Sequence, residues 1–165
     1  LLNGTAVIVC GFNKTRINLN AKIRDHNNFT EHTPMIGDRV ICLKNNKRSN
    51  IPLYNGAHGT VKHIVKNPHL NYARSVIEMD GVNEDMFRGK ILYESFAKEK
   101  FSAYHSDSGK EVFDYGYAIT AHKSQGSEFE NVMVIEEGKY VWRENWNRWL
   151  YTAVTRSQKQ LLIVG

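Results

Sequence analysis

Continuous apolar runs and polar segments alternate at the start of the chain. Residues 6–11, which read AVIVCG, are apolar and rich in β-branched side chains, as expected for a strand buried on both faces. Over residues 15–25 apolar side chains recur four positions apart, which predicts a short helix. The order strand, loop, helix indicates the beginning of an α/β fold.

The hydrophobic pattern changes in the middle of the chain. Short segments at residues 39–44, 59–65 and 75–79 predict strands. The Asn-Gly pair at 55–56 and the Asp-Gly pair at 80–81 are turn dipeptides typical of hairpins. Because no long helical period occurs here, we expect a small antiparallel β barrel or sheet inserted into the α/β domain.

The α/β pattern resumes in the last third of the chain. Strands are predicted at residues 115–120, 131–136 and 160–164, with a short helical turn at 121–125 and a longer helix at 145–156. Such alternation predicts a parallel sheet covered by helices. The longer helix has one apolar stripe, formed by Trp146, Trp149, Leu150, Ala153 and Val154.

Composition adds little beyond a preference for a polyanionic partner. The 165 residues are 41% hydrophobic, enough for one domain with an insertion, and the formal net charge of +5 modestly favours nucleic acid. Cys10 and Cys42 lie in apolar runs and are expected to be buried, reduced thiols of a cytoplasmic protein. The histidine spacing predicts no metal site, and the absence of a membrane-length apolar run predicts no membrane partner.

The ends of the sequence suggest a larger protein. The chain begins Leu-Leu-Asn and ends on the apolar run at residues 161–165. We therefore expect it to be part of a longer polypeptide.

Two strings of residues carry the candidate chemistry. Residues 117–128 read YAITAHKSQGSE, and residues 150–157 read LYTAVTRS. The first places Thr120, His122 and Gln125 where a strand gives way to a helical turn, which is where open α/β sheets bind ligands. Backbone amides, a hydroxyl and an imidazole at such a position are suited to holding phosphate. The alternative is a polar loop with a capping threonine.

Further candidates each have a structural alternative. Arg156 near the end of the amphipathic helix is suited to reach a phosphate held by another domain, or it is a cation at a helix C-terminus. The basic loop at residues 44–48 is either a phosphate contact or a solvated hairpin loop. Three tryptophans have the chemistry to stack bases, although helical spacing favours a core position for the last two: Trp142, Trp146 and Trp149.

A phosphate-binding P-loop is absent from the sequence. No G-x-x-x-x-G-K-[ST] motif occurs in the chain. The run VMVIEE at residues 132–137 has the outline of a strand that ends in a Mg²⁺-binding acid, but without a P-loop upstream a plain strand is favoured.

These strings resemble motifs of superfamily one DNA helicases, most closely the branch that contains the RecD and Dda helicases. ITAHKSQGSEFENV is similar to motif V, and WLYTAVTRSQKQLLIVG to motif VI. Residues 6–24, with Asn13, Lys14 and Arg16, resemble motif IV more weakly. The resemblance implies a RecA-like domain, with helices on both faces of a parallel sheet, at residues 1–35 and 106–165. It also implies an inserted SH3-like β barrel at residues 36–105.

The resemblance further implies roles for individual residues. Arg156 would be the arginine finger that meets the γ-phosphate of ATP, with Gln125 near the phosphates and Gly126 and Glu128 at the ribose. Single-stranded DNA would be contacted by Thr120, His122 and Lys123, with Asn13 and Lys14 as further nucleic-acid contacts, and Tyr151 and Thr155 would support the site. Some relatives carry an arginine at the end of the first motif IV strand, where this chain has Gly11 or Phe12.

The implied function is that of the C-terminal part of an ATP-dependent DNA helicase, for which the resemblance suggests 5′-to-3′ movement. Its partners would be single-stranded DNA and an N-terminal RecA-like domain that holds the P-loop and most of the Mg²⁺ ligands. A larger repair, recombination or replication complex is a further expected partner. Two alternatives stay open: a nucleic-acid-binding module without motor function, and an interaction domain from a degenerate helicase.

Overall fold

The computed structural model describes residues 6–81, 86–99, 109–139 and 143–165, and the chain divides into two compact units. The first unit comprises the chain up to Ala21 together with Tyr117–Gly165, and the second comprises Lys22–Gly116. In chain order the elements are β1 (Ala6–Cys10), α1 (Asn13–His26), β2 (Arg39–Cys42), β3 (His58–Lys66), β4 (Tyr72–Met79), β5 (Met86–Leu92), β6 (Phe113–Tyr115), β7 (Ala118–Thr120), β8 (Phe129–Ile135), α2 (Trp146–Val154) and β9 (Ser157–Val164).

The first unit is built on a four-stranded parallel sheet. Its strand order is β7-β1-β8-β9, with every neighbouring pair parallel. Val9, Ile119 and Val132 are completely buried, as the apolar runs predicted. The buried Asn20 of α1 accepts a hydrogen bond from the Ala118 amide (2.9 Å) and donates to the Ala118 carbonyl (3.0 Å), so it pairs with the start of β7 as a strand would.

The second unit is a five-stranded antiparallel sheet of order β5-β4-β3-β2-β6. The Glu111 amide donates to the Lys90 carbonyl, and Glu111 O accepts from Leu92. One residue later, Val112 O accepts from the Leu43 amide. The short segment before β6 therefore hydrogen-bonds with β5 and with the residue that follows β2.

The core of this second sheet is closely packed. The rings of Phe87 and Phe113 lie 5.5 Å apart. A buried ion pair joins Arg24 to Asp38 at 2.9 Å, and the Arg24 guanidinium also stacks 4.2 Å from the Tyr115 ring centre.

Most predicted elements are confirmed, with one clear error. The strand predicted at residues 115–120 is two strands: Tyr115 ends β6 in the antiparallel sheet, and Ala118 begins β7 in the parallel sheet. The change occurs because the Gly116 amide donates to Arg39 O, whereas Tyr117 O accepts from Ile8. A continuous apolar run does not reveal that its two halves pair with different sheets.

Other outcomes are mixed. The helix predicted at 145–156 is present as α2, preceded by a 3₁₀ turn at Arg143–Asn145. Trp149 is buried as predicted, Trp146 is half-buried, and Trp142 lies outside the described residues. Strand β5 was not predicted from the sequence. The mixed α/β architecture is confirmed. The structure divides the chain after Ala21 and after Gly116, and the domain boundaries at 35/36 and 105/106 stay a prediction.

Two further features agree with the sequence analysis. Cys10 and Cys42 are buried free thiols. Burial, with the nearby Glu137 charge, raises the pKa of Cys10 to about 12. Among the described helices, each is too short or too polar to cross a membrane.

Candidate functional site

The segment that follows β7 is a compact, internally hydrogen-bonded turn. The Ala121 amide donates to Cys10 O at 3.0 Å, and the Ser124 amide donates to Thr120 O at 3.0 Å. The fully buried Ser124 hydroxyl donates to Ala121 O at 2.7 Å. Gly126 then takes a φ of 82°, a conformation that glycine adopts without strain. These bonds fix the backbone while His122 and Gln125 remain exposed.

Thr120 differs from its exposed neighbours. Its side chain is buried, and its hydroxyl accepts a 3.4 Å hydrogen bond from the Lys123 amide. The threonine therefore stabilises the turn as a cap does. Its contact with DNA stays a prediction.

A cavity of about 380 Å³ lies between this turn and α2. Both candidate strings contribute to it, since His122 and Gln125 belong to the first string and Thr152 to the second. The lining residues are Ala121, His122, Gln125, Asn145, Arg148, Trp149 and Thr152. Asn145, Arg148 and Thr152 were not predicted from the sequence. The i, i+4 spacing of Arg148 and Thr152 was the available signal, because it places both side chains on one face of the helix.

Arg156 is held against the same turn at the opposite end of α2. Its Nε donates to Thr152 O at 2.9 Å, Nη1 to Ser127 O at 3.2 Å, and Nη2 to the Thr155 hydroxyl at 2.9 Å. These contacts use three of the five N–H donors of a guanidinium. Arg156 is therefore a positioned, half-buried cation with donors to spare.

The two strings also meet through the sheet. Phe129 pairs with Ser157 where β8 and β9 begin, and the Phe129 amide donates to Arg156 O at 2.8 Å. The Gln158 side chain donates to the Glu128 carboxylate at 2.8 Å. Glu128 and Arg156 thus lie at the amino-terminal ends of these two strands.

The predicted site residues consequently form two groups. His122 and Gln125 line the cavity, near the carboxyl end of β7, whereas Glu128 and Arg156 lie where β8 and β9 begin. The turn between them therefore runs from the side of the parallel sheet where the strands end to the side where they begin. Arg156 does not line the cavity.

The motif IV candidates lie elsewhere in the first unit. Asn13 and Lys14 begin α1, and neither lines the cavity. The Asn13 side chain accepts a 3.2 Å hydrogen bond from Arg16, which is buried, and Lys14 is exposed.

A carboxylate caps the start of α1. Glu137 accepts hydrogen bonds from the amides of Gly11 (2.7 Å) and Phe12 (2.9 Å) and from the Thr15 hydroxyl (2.7 Å). Amide groups at a helix start are a favourable anion site, and here the chain supplies the anion itself. The acid at the end of the VMVIEE run is therefore a helix cap. Across the described ranges, no cluster of three or more histidine, cysteine or acidic residues is suited to a metal ion.

The class of protein is supported by its similarity to known families. Residues 115–164, which include both strings, match the family described as the UvrD-like helicase C-terminal domain. The fold of the whole chain resembles that of Pif1 helicases. The family match includes both strings, so their resemblance to superfamily one helicases is confirmed over residues 115–164. The structural matches show a shared fold for the chain.

Individual relatives are longer than this chain. The Pif1 helicase from Bacteroides in complex with ADP-AlF3 and ssDNA superposes with a TM-score of 0.61 at 17% identity, over 100% of this chain and 41% of that one. The Pif1 helicase from Candida albicans gives 0.56 at 12% identity, over 100% of this chain and 46% of that one. An uncharacterized protein of Methanocaldococcus jannaschii, MJ1519, is 33% identical over 132 residues, or 78% of this chain and 10% of that protein.

Proposed function

We propose that the chain is the C-terminal part of an ATP-dependent DNA helicase that couples hydrolysis to movement along single-stranded DNA. The observation that carries the proposal is the anchoring of Arg156 against the turn that follows β7, through its bond to Ser127 O. One turn thereby joins a cation suited to a nucleotide phosphate with polar side chains suited to a nucleic-acid strand. The family match over residues 115–164 supports this assignment.

Arg156 acts in this proposal as an arginine finger. When a second domain brings ATP to the amino-terminal ends of β8 and β9, the two unused donors of Arg156 meet the charge that develops on the γ-phosphate. Its three existing hydrogen bonds hold the guanidinium in place before the nucleotide arrives, which lowers the entropy lost on binding. Gly126 and Glu128 contact the ribose, and Gln125 lies towards the phosphates.

The exposed side of the turn contacts single-stranded DNA. His122, with Lys123, donates to backbone phosphates, and the buried Thr120 fixes the turn that presents them. Arg148 joins this group because it lines the same cavity as His122. Asn13 and Lys14 are further nucleic-acid contacts at the start of α1. Contacts of this kind give binding that tolerates sequence and weakens with salt.

In this proposal, the P-loop and most of the Mg²⁺ ligands belong to a domain outside these 165 residues. Mg²⁺ would be held mainly by the P-loop domain, where it would stabilise charge on the transferring phosphoryl group. Movement is from 5′ to 3′. The second unit serves as an SH3-like barrel inserted in the helicase domain, supported by the hydrogen bonds that Glu111 makes to β5 just before β6.

The Bacteroides structures support the choice of ligands. One Pif1 helicase was solved with ADP-AlF3 and ssDNA, and another Bacteroides Pif1 structure is bound to ssDNA. Extending those ligands to this chain is part of the proposal.

The test is an Arg156→Ala variant of the full-length protein. Its kcat for ATP hydrolysis in saturating single-stranded DNA should fall by about 10³-fold or more, with ATP affinity nearly unchanged, because an arginine finger acts mainly in the transition state. Lys159→Ala is the control, since Lys159 is exposed and pairs only with Glu130 among the described residues. Loss of ATP affinity without loss of kcat would contradict the role of Arg156.

A non-motor nucleic-acid-binding module is the second candidate. This candidate is favoured by the cations on the second sheet, which have no proposed role in nucleotide binding. DNA-stimulated ATP hydrolysis by the full-length protein distinguishes the two: a motor shows it, and a binding module does not.

A further inference from the structure

The outer face of the second sheet presents three cations in adjacent positions. Arg74 of β4 pairs with Lys90 of β5, and Val76, two residues further along β4, pairs with Arg88. Residues that pair across antiparallel strands, and those two apart along a strand, project from the same face. We call Arg74, Arg88 and Lys90 the basic face.

This face points away from the core. The alternate residues of the same strands, Ala73, Ile77, Phe87 and Ile91, are completely or almost completely buried. Val65, which pairs with Arg74 from the β3 side, is by contrast 55% exposed. The basic face is therefore open to a partner.

A shallow cavity has formed among these side chains. It measures about 370 Å³, and Val65 and Val76 line it together with the three cations. An apolar floor with a basic rim suits a ligand that combines anionic groups with apolar surface. A nucleic-acid strand has this chemistry in its phosphates, sugars and bases.

The cations are arranged at a cost to the fold. Like charges directly opposite one another on paired strands are destabilising, and Arg74 and Lys90 are such a pair. Within the part of the chain that the structure describes, none of the three has an ion-pair partner, and nearby Glu78 is paired with Lys62 at 2.7 Å. An arrangement that repels itself favours a bound polyanion.

Neighbouring groups order this surface. The ammonium groups of Lys90 and Lys110 lie 5.0 and 5.3 Å from the centre of the Tyr72 ring, which holds both by cation–π attraction. At the start of β5, on the edge away from β4, the Asn50 side chain donates to Met86 O (2.7 Å) and accepts from the Arg88 amide (2.9 Å). The loop that carries Lys47 and Arg48 is thereby attached beside the basic face.

We propose that the basic face is a second nucleic-acid contact, which binds the phosphodiester backbone independently of the turn that follows β7. It goes beyond the proposed motor site, because it lies wholly in the second unit and involves no nucleotide. Arg74, Arg88 and Lys90 contact phosphates, and Val65 and Val76 contact sugar or base.

The test is equilibrium binding by the full chain without nucleotide. Arg74→Gln with Lys90→Gln removes two phosphate contacts, so the slope of log K against log salt should fall by about 1.4 to 1.8. Affinity at low salt should fall about tenfold. The probes are a labelled mixed-sequence single strand and the duplex of the same length, and a loss confined to one of them identifies which nucleic acid this face binds.

Control variants distinguish binding at the basic face from a general effect of positive charge. Lys22→Gln with Lys159→Gln removes the same charge from exposed positions elsewhere and should retain the parental slope. If the basic-face variant behaves like this control with both probes, the proposal is overturned. Competition by polyglutamate that is as strong as competition by DNA would also overturn it, in favour of an acidic protein partner.

Folding and motor function are monitored separately. Removing the Arg74–Lys90 repulsion should leave Tm unchanged or higher. If the double variant does not fold, Arg88→Gln is used instead, and an unchanged slope in that variant counts against the proposal. Arg156→Ala tests ATP hydrolysis, whereas the basic-face variants test binding without nucleotide. One proposal can therefore be contradicted while the other holds.

Discussion

At the scale of single residues, His58 is a buried histidine that the sequence did not single out. It lies at the start of β3 with 4% of its surface exposed, and its Nδ1 is 3.1 Å from Gly56 O. Burial, assisted by the Arg39 charge, lowers the pKa of His58 to about 4 from 6.5. The folded state therefore holds this imidazole neutral at pH values where the unfolded chain protonates it.

This shift predicts an acid-sensitive fold. The folded pKa is below the unfolded one, so the unfolded state binds more protons between pH 6.5 and 4, and stability is lost as pH falls through that window. The loss approaches about 1.4 kcal/mol for each pH unit. Urea unfolding of the chain at a series of pH values measures it.

The variant that tests this assignment is His58→Gln. It should flatten the pH profile, whereas His69→Gln, at an exposed position, should retain the parental profile. A His58→Gln profile as steep as that of the parent would show that other groups cause the loss.

The residues of the candidate site differed in how easily the sequence revealed them. His122, Gln125 and Arg156 were predicted because polar groups next to apolar runs are conspicuous in sequence. Thr120 was found for a contact with DNA, yet its hydroxyl lies inside the turn. Arg148 was missed because a single arginine on a helix has no signature until the turn that it faces is known.

At the scale of elements, the join between β6 and β7 shows what an apolar run conceals. The run from Tyr115 to Thr120 is equally apolar throughout, but hydrogen bonds assign its halves to different sheets. Strand β5 was missed because Arg88, Gly89 and Lys90 interrupt its apolar pattern. Those cations are tolerated since they lie on the outer face, which only the register reveals.

The glycine at this join is expected to be required. A Cβ at Gly116 would lie 2.9 Å from the carbonyl carbon of Val40 and 2.9 Å from His58 Cδ2. Gly116→Ala should therefore lower the free energy of unfolding by about 1 to 3 kcal/mol, as overpacking does. Urea unfolding measures the change.

Gly81→Ala is the matched comparison. A Cβ there meets nothing within 4 Å, but φ is +73°, so only backbone strain of about 1 kcal/mol is expected. If Gly116→Ala is no more destabilising than Gly81→Ala, the close approach to Val40 is relieved by a backbone shift.

At the scale of the whole molecule, the chain contains a positioned cation, Arg156, which we propose meets a nucleotide, but its sequence has no P-loop to hold one. We therefore expect the purified 165-residue chain to bind single-stranded DNA and to show no DNA-stimulated ATP hydrolysis. Binding should weaken steeply with salt, because the contacts proposed for both units are to phosphate. Phosphate release and fluorescence anisotropy, measured on the same preparation, check the two halves of this prediction. Robust turnover that disappears in Arg156→Ala would contradict it, since the chain would then hold the nucleotide by itself.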